Sequence, residues 1–111
     1  GESKLSGEKV LFVVLPASFV VRTSWLYGVN GKNFVKTIAG KALRNEPASV
    51  VDDQVGSPTS SKDLAAGIVS IIRIQPAPGI YNFSNEGSCS WFKLAQTVYE
   101  NIFYFSCCIA V

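Results

Sequence analysis

The chain has no histidine, no run of basic residues and no cysteine framework, and each absence closes a class of function. Without imidazole there is no catalytic triad built on one, and most metal-ligand sets lose their commonest member. Lysines, arginines and acids come in ones and twos and sum to a net charge of +2, which describes a solvated surface and not a nucleic-acid footprint. Cys89, Cys107 and Cys108 are odd in number and two are adjacent, a spacing that suits neither disulfides nor zinc. They read as small apolar fillers in a reduced, cytoplasmic setting. The N-terminus is polar and unlike a signal peptide. The apolar stretch from Ile102 to Val111 is about half of what a bilayer crossing needs. A Gly-x-x-Gly-x-x-Gly loop is also missing. Gly28, Gly31 and Gly40 are wrongly spaced for it, so nothing here cradles the pyrophosphate of a dinucleotide.

What is present is an α/β pattern. With 111 residues and 48% hydrophobic content, the chain is one domain at most, with a modest core. Gly1 to about Leu11 reads as the tail of a helix, which Pro16 interrupts. Ser18 to Thr23 is a continuous apolar run rich in β-branched residues, the pattern of a parallel strand buried on both faces. After the glycine-containing loop Gly28–Lys32, Asn33 caps a helix carrying Phe34, Val35, Ile38, Ala42 and Leu43 until Asn45 and Pro47 stop it. Ser49–Asp52 is a short strand and Asp53–Thr59 a loop. A helix follows from about Ser61 to Arg73, then a strand at Ile80–Phe83. Ser90 caps a last helix whose apolar stripe is Trp91, Leu94, Ala95, Val98 and Ile102. Helices alternating with short strands make the class α/β. The stretch from Phe103 onward breaks the pattern, with no charge, stripe or cap.

Ligands of open parallel sheets collect beyond the carboxyl ends of the strands. The first strand ends in Thr23, Ser24 and Trp25, two hydroxyls and an indole. An indole there can stack on a sugar ring and donate one N–H, or it can be a core aromatic beside an ordinary β-branched strand residue.

Five segments, in order, carry a resemblance. They are Arg22-Thr23-Ser24-Trp25-x-Tyr27-Gly28, Asn33-Phe34, Asp53-Gln54-x-Gly56-x-Pro58-Thr59, Gly79-Ile80-Tyr81-Asn82 and Ser90-Trp91-Phe92. From Gly1 to Glu100 the chain resembles the dTDP-4-dehydrorhamnose reductases of the extended short-chain dehydrogenase/reductase family. That family's Tyr-x-x-x-Lys motif, followed by Gly-Glu, is matched by Gly1-Glu2-Ser3-Lys4-Leu5-Ser6-Gly7-Glu8, except that the tyrosine falls one position before Gly1. Residues four apart share a helix face, so the ammonium of Lys4 would lie beside that phenol. It would draw the phenol's pKa down from about 10 and suit it as a general acid.

The resemblance implies the trailing portion of a Rossmann-type parallel sheet plus the small α/β substrate-binding domain. Residues 1–28 would be the remnant of the dinucleotide-binding domain, 29–100 the sugar-nucleotide part and 101–111 an atypical apolar tail. It implies NADPH or NADH as cofactor in the full-length parent, a nucleotide-sugar substrate, a cytoplasmic setting, and no metal, nucleic-acid or membrane partner. Lys4 would be catalytic and hold the nicotinamide ribose. Thr23 and Ser24 would approach the nicotinamide, while Trp25, Asn33, Gln54 and Thr59 would bind substrate. Trp91 matches a family tryptophan, but at the head of an amphipathic helix it reads as a packing residue.

Without its pyrophosphate loop and tyrosine the 111-residue chain is expected to be inactive alone. The alternative is a non-catalytic binding module of the same fold, such as a methionine adenosyltransferase beta-subunit-like protein. Phe19, Val20 and Val21 are expected to face water or another chain, with both strand edges open to self-association.

Overall fold

Local sequence starts and stops the helices. The computed structural model describes residues 1–103 and 108–110. Helix α1 spans Glu2–Val14, past the expected end near Leu11, because nothing before Pro16 breaks it. Strands β1 (Phe19–Arg22) and β2 (Leu26–Tyr27) precede α2 (Phe34–Leu43). Asn33 caps α2 as its sequence predicts, its side chain accepting from the Lys36 N–H at 3.0 Å. Then come β3 (Ala48–Val50), β4 (Val55–Gly56), β5 (Thr59–Ser60) and α3 (Ser61–Ile74). The Ser60 hydroxyl accepts from Asp63 N–H at the start of α3. Asp63 in the first turn and Arg73 in the last both complement the helix dipole. The chain closes with β6 (Gly79–Asn82), β7 (Cys89–Ser90), α4 (Trp91–Phe103) and β8 (Cys108–Ala110). Ser90 caps α4, accepting from Lys93 N–H at 3.1 Å. Among the described residues no helix is long and apolar enough to cross a membrane.

Among the described residues the strands form four pairs. β1 runs parallel to β6, in register from Phe19 opposite Gly79 to Arg22 opposite Asn82. β2 is parallel to β5, β3 parallel to β8, and β4 antiparallel to β7. The parallel character expected of the first strand is present. Phe19, Val20 and Val21 are half-buried and Arg22 is exposed, however, and one edge is paired with β6, so the strand is neither buried on both faces nor open along both edges. Strand β8 draws part of the apolar tail into the fold. Residues 104–107 and 111, Cys107 with them, lie outside the described residues.

The core lies between α2, β3 and α4. Ile38, Ala42, Ala48, Val50, Ala95 and Tyr99 are buried, with Phe34, Trp91, Phe92, Val98 and Ile102 packed on them. Tyr99 is 1% exposed, and its hydroxyl donates to the Glu46 carbonyl. Burying an aromatic body of that size stabilises the fold by about 2–3 kcal/mol, and the hydrogen bond removes the cost of the phenol's polar end.

The other half of the molecule differs. Neither α1 nor α3 buries a residue. α3 does approach the residue that follows β6 closely at Gly67, where a Cβ would fall 2.6 Å from Phe83 Cε2. The outcome is an elongated body of 50 × 29 × 24 Å with a radius of gyration of 17.3 Å. A compact domain of this length has about 13 Å.

Candidate functional site

The end of β1 is the organising point. Lys4 and Glu8, one turn apart on α1, line a cleft of about 560 Å³ with Val21, Arg22 and Thr23. Lys4 and Thr23 are exposed and have no side-chain hydrogen bond or ion pair among the described residues. Thr23 also lines a neighbouring cleft of about 160 Å³ with Ser24, Asn82, Phe83 and Ser84. Trp25 lines neither of these two clefts. Lys4 and Trp25 therefore do not face each other across one cavity, and the continuous run Thr23-Ser24 links them.

Arg22 holds the floor of the larger cleft. Its guanidinium donates to both carboxylate oxygens of Glu8, with Nε to Oε1 at 3.0 Å. These bonds from Arg22 push the Glu8 carboxyl below its usual 4.5, and the same carboxylate raises the Arg22 pKa further. The pair pins α1 to β1, and so sets Lys4 beside Thr23. Reading Glu8 and Arg22 in separate motifs missed it, because nothing local in sequence brings them together.

Trp25 is held from several sides. Its indole stacks on Trp91 with centroids 3.6 Å apart and planes 13° from parallel, and Phe34 backs Trp91 at 4.6 Å and 55°. Trp91 thus packs, as its helix position predicts. The backbone of Trp25 sits at φ 47°, in the left-handed region that bulky residues rarely adopt. Such a conformation costs about 1–3 kcal/mol and persists only where neighbours over-determine it. Those neighbours belong to the Asp53–Thr59 loop. Thr59 N–H donates to the Trp25 carbonyl at 3.1 Å, β2 pairs with β5, and the Ser24 hydroxyl donates to the Ser57 carbonyl at 3.0 Å.

The remaining sequence candidates divide by what their polar groups already do. Thr59 is fully buried, and its hydroxyl donates to the Ser57 carbonyl, so it supports the loop and offers a ligand no surface. Asn33 spends its amide on the helix cap and on the Gly28 carbonyl, at 2.8 Å. Ser24 is committed to Ser57. Gln54 is exposed, with no side-chain partner among the described residues. Lys4, Thr23, Gln54 and the indole N–H of Trp25 are the candidate groups left open to a ligand.

Sequence reasoning also overlooked Asn85. Its Oδ1 accepts from Ser60 N–H at 2.7 Å and its Nδ2 donates to Asp63 at 2.8 Å, fastening the Asn85–Gly87 turn to the start of α3. An Asn in a turn was the only sequence signal, and it does not name a partner. Cys89 is a half-buried free thiol. Among the described residues no cluster of three or more histidine, cysteine or acidic side chains is placed to hold a metal ion.

Comparison with known proteins places this geometry. The family described as RmlD substrate binding domain matches residues 1–109, which takes the family's pattern past Asn101 and into the apolar tail. The chain is 42% identical over 100 residues to the spore coat polysaccharide biosynthesis protein SpsK of Bacillus subtilis, covering 90% of this chain and 35% of that protein. It is 37% identical over 105 residues to the dTDP-4-dehydrorhamnose reductase of Aggregatibacter actinomycetemcomitans, covering 90% of this chain and 36% of that one. The crystal structure of dTDP-4-dehydrorhamnose reductase from Bacillus anthracis in complex with NADP superposes with a TM-score of 0.89 at 41% identity. That match covers all of this chain and 40% of the reductase. The chain spans about a third of the length of the curated relatives it matches.

Proposed function

We infer the function from one premise: the chain belongs to the RmlD substrate-binding domain family. It forms the sugar-nucleotide-binding part of a reductase that converts dTDP-4-dehydro-L-rhamnose to dTDP-L-rhamnose with NADPH or NADH. Residues 1–28 belong to the dinucleotide side of that enzyme and residues 29–100 to the sugar-nucleotide side. The observation that carries the reading is the end of β1. There, unpartnered Lys4 and Thr23 share a cleft, and the next two residues are fastened to the loop that bears the free Gln54.

The residues present fit one end of the cofactor. The ammonium of Lys4 and the hydroxyl of Thr23 are free to hold the hydroxyls of a nicotinamide ribose, while no loop in this chain cradles a pyrophosphate. When bound, NADPH or NADH supplies the hydride for the sugar ketone. Lys4 stands one helical turn from the position of the phenol in the family's motif, where its charge stabilises a phenolate and readies the proton transfer. Arg22 keeps Glu8 occupied one turn further on. Trp25 and Gln54 meet the sugar, and Ser24, Asn33 and Thr59 hold the walls that present them.

Saturation-transfer difference NMR of the 111-residue chain with dTDP-L-rhamnose tests the binding half of this reading. Transfer to the sugar and thymine protons is expected, and none at any concentration up to the millimolar range refutes it. For the catalytic half, the same chain mixed with the keto-sugar is expected not to oxidise NADPH. Measurable turnover would contradict the assignment of pyrophosphate and phenol to residues outside it.

A further inference from the structure

We propose that Gly56 and Trp91 are positioning residues that hold Trp25 edge-on to its ligand, so that Trp25 recognises a sugar oxygen through its indole N–H instead of stacking on the ring. The inference rests on the nucleotide-sugar reading above and specifies how one residue serves it.

Both faces of the indole are taken. Trp91 covers one at 3.6 Å, nearly parallel. A Cβ built on Gly56 would fall 2.5 Å from Trp25 Cε2, 2.7 Å from Cζ2 and 2.8 Å from Nε1. A point in the ring plane outside Cε2 would lie nearer to those two neighbours than to Cε2, so Gly56 sits over the ring. With Trp91 filling one face, the Gly56 backbone occupies the other. The edge is different. Nε1–H has no acceptor among the described residues, and no buried side-chain nitrogen or oxygen there lacks a partner, so this N–H reaches the surface. Trp91 is backed by Phe34 from the core, and Gly56 rides on the loop bonded to the Trp25 backbone. The clamp is therefore anchored on both sides, and it holds the strained φ of Trp25 in place. A fixed donor of this kind fits a hydroxyl or carbonyl oxygen of the hexose.

Trp25 and Trp91 are the only tryptophans in the chain, so their stacking gives a far-ultraviolet exciton couplet that reports the clamp without any activity. Gly56→Ala is expected to abolish the couplet and weaken dTDP-L-rhamnose binding. Trp25→Phe keeps the ring faces but not the N–H, and is expected to bind about tenfold more weakly, the size of one lost hydrogen bond. Trp91→Leu is expected to bind more weakly and Trp91→Phe to restore affinity, which covers the case in which Gly56→Ala fails to fold. An unchanged couplet in Gly56→Ala, or native affinity in Trp25→Phe, overturns the proposal. Failure of the unmutated chain to bind dTDP-L-rhamnose would sink the nucleotide-sugar reading instead, and the couplet of Gly56→Ala would still decide the clamp.

Discussion

The two halves of this molecule are built from similar residues but packed to different depths. Around α2, β3 and α4 an aromatic and aliphatic core closes on Tyr99, and Ala42 and Ala95 are fully buried. Around α1, β1, β6 and α3 the apolar side chains are just as numerous but remain in contact with solvent: Val13 is 81% exposed, Ile72 64% and Ile74 75%. The difference shows that apolar content alone does not make a core. Two helices facing one another across a strand can interdigitate, whereas a two-stranded pair with a helix on it leaves the outer helix faces uncovered. The candidate site lies along the seam. Lys4 and Thr23 stand on the open half, while Trp25 is clamped onto the closed half through Trp91.

Substitutions should separate the halves. Tyr99→Ala removes a buried aromatic and is expected to cost about 3–5 kcal/mol, whereas Ile72→Ala on exposed α3 should stay within about 0.5 kcal/mol. Urea denaturation followed by circular dichroism measures both, and equal effects would erase the distinction between the halves. Next in size is Ser90→Ala, which removes the cap of α4 and the hydroxyl that also reaches Asp52. It is expected to cost about 1 kcal/mol by the same measurement.

The smallest effect belongs to the open half. The Glu8 carboxyl is held below its ordinary value, so its contribution is fully present above pH about 4.5 and is lost as pH falls through the depressed value. Arg22, whose pKa the Glu8 carboxylate raises further, stays charged throughout that window. Glu8→Gln should therefore flatten part of the acid limb, lowering stability slightly above pH about 4.5 and leaving it unchanged at the acid end, where the carboxyl is protonated in any case. The difference should shrink with added salt, as for any exposed pair. An acid limb identical to that of the unmutated chain would show that the pair does not tie α1 to β1.

Much of this was legible in the sequence because it is local. Asn33 and Ser90 cap helices by bonding three residues ahead, and the stripe on α4 follows helical spacing. Tyr99 was readable too, one turn after Ala95 and two after Trp91, but its phenol drew it out of the apolar list. What stayed hidden is long-range. The pairing of β2 with β5 buries Thr59 and turns a hydroxyl expected to face substrate into a loop support. The Trp25–Trp91 stack joins two motifs far apart in the chain, and the Arg22–Glu8 pair joins two more. A motif gives residue types at positions, and it does not show which polar groups are already bonded to the fold. Ser24 and Asn33 mark that limit, since both were expected at the ligand and both are spent on backbone carbonyls.

The central claim is that this chain presents a nucleotide-sugar surface in which Trp25 takes part. A proton–nitrogen correlation spectrum of the indole groups tests it most directly, since the chain has two such signals, one each from Trp25 and Trp91. On titration with dTDP-L-rhamnose the Trp25 signal should shift in a saturable way and the Trp91 signal much less. Two indole signals that stay fixed at saturating nucleotide sugar would contradict the claim.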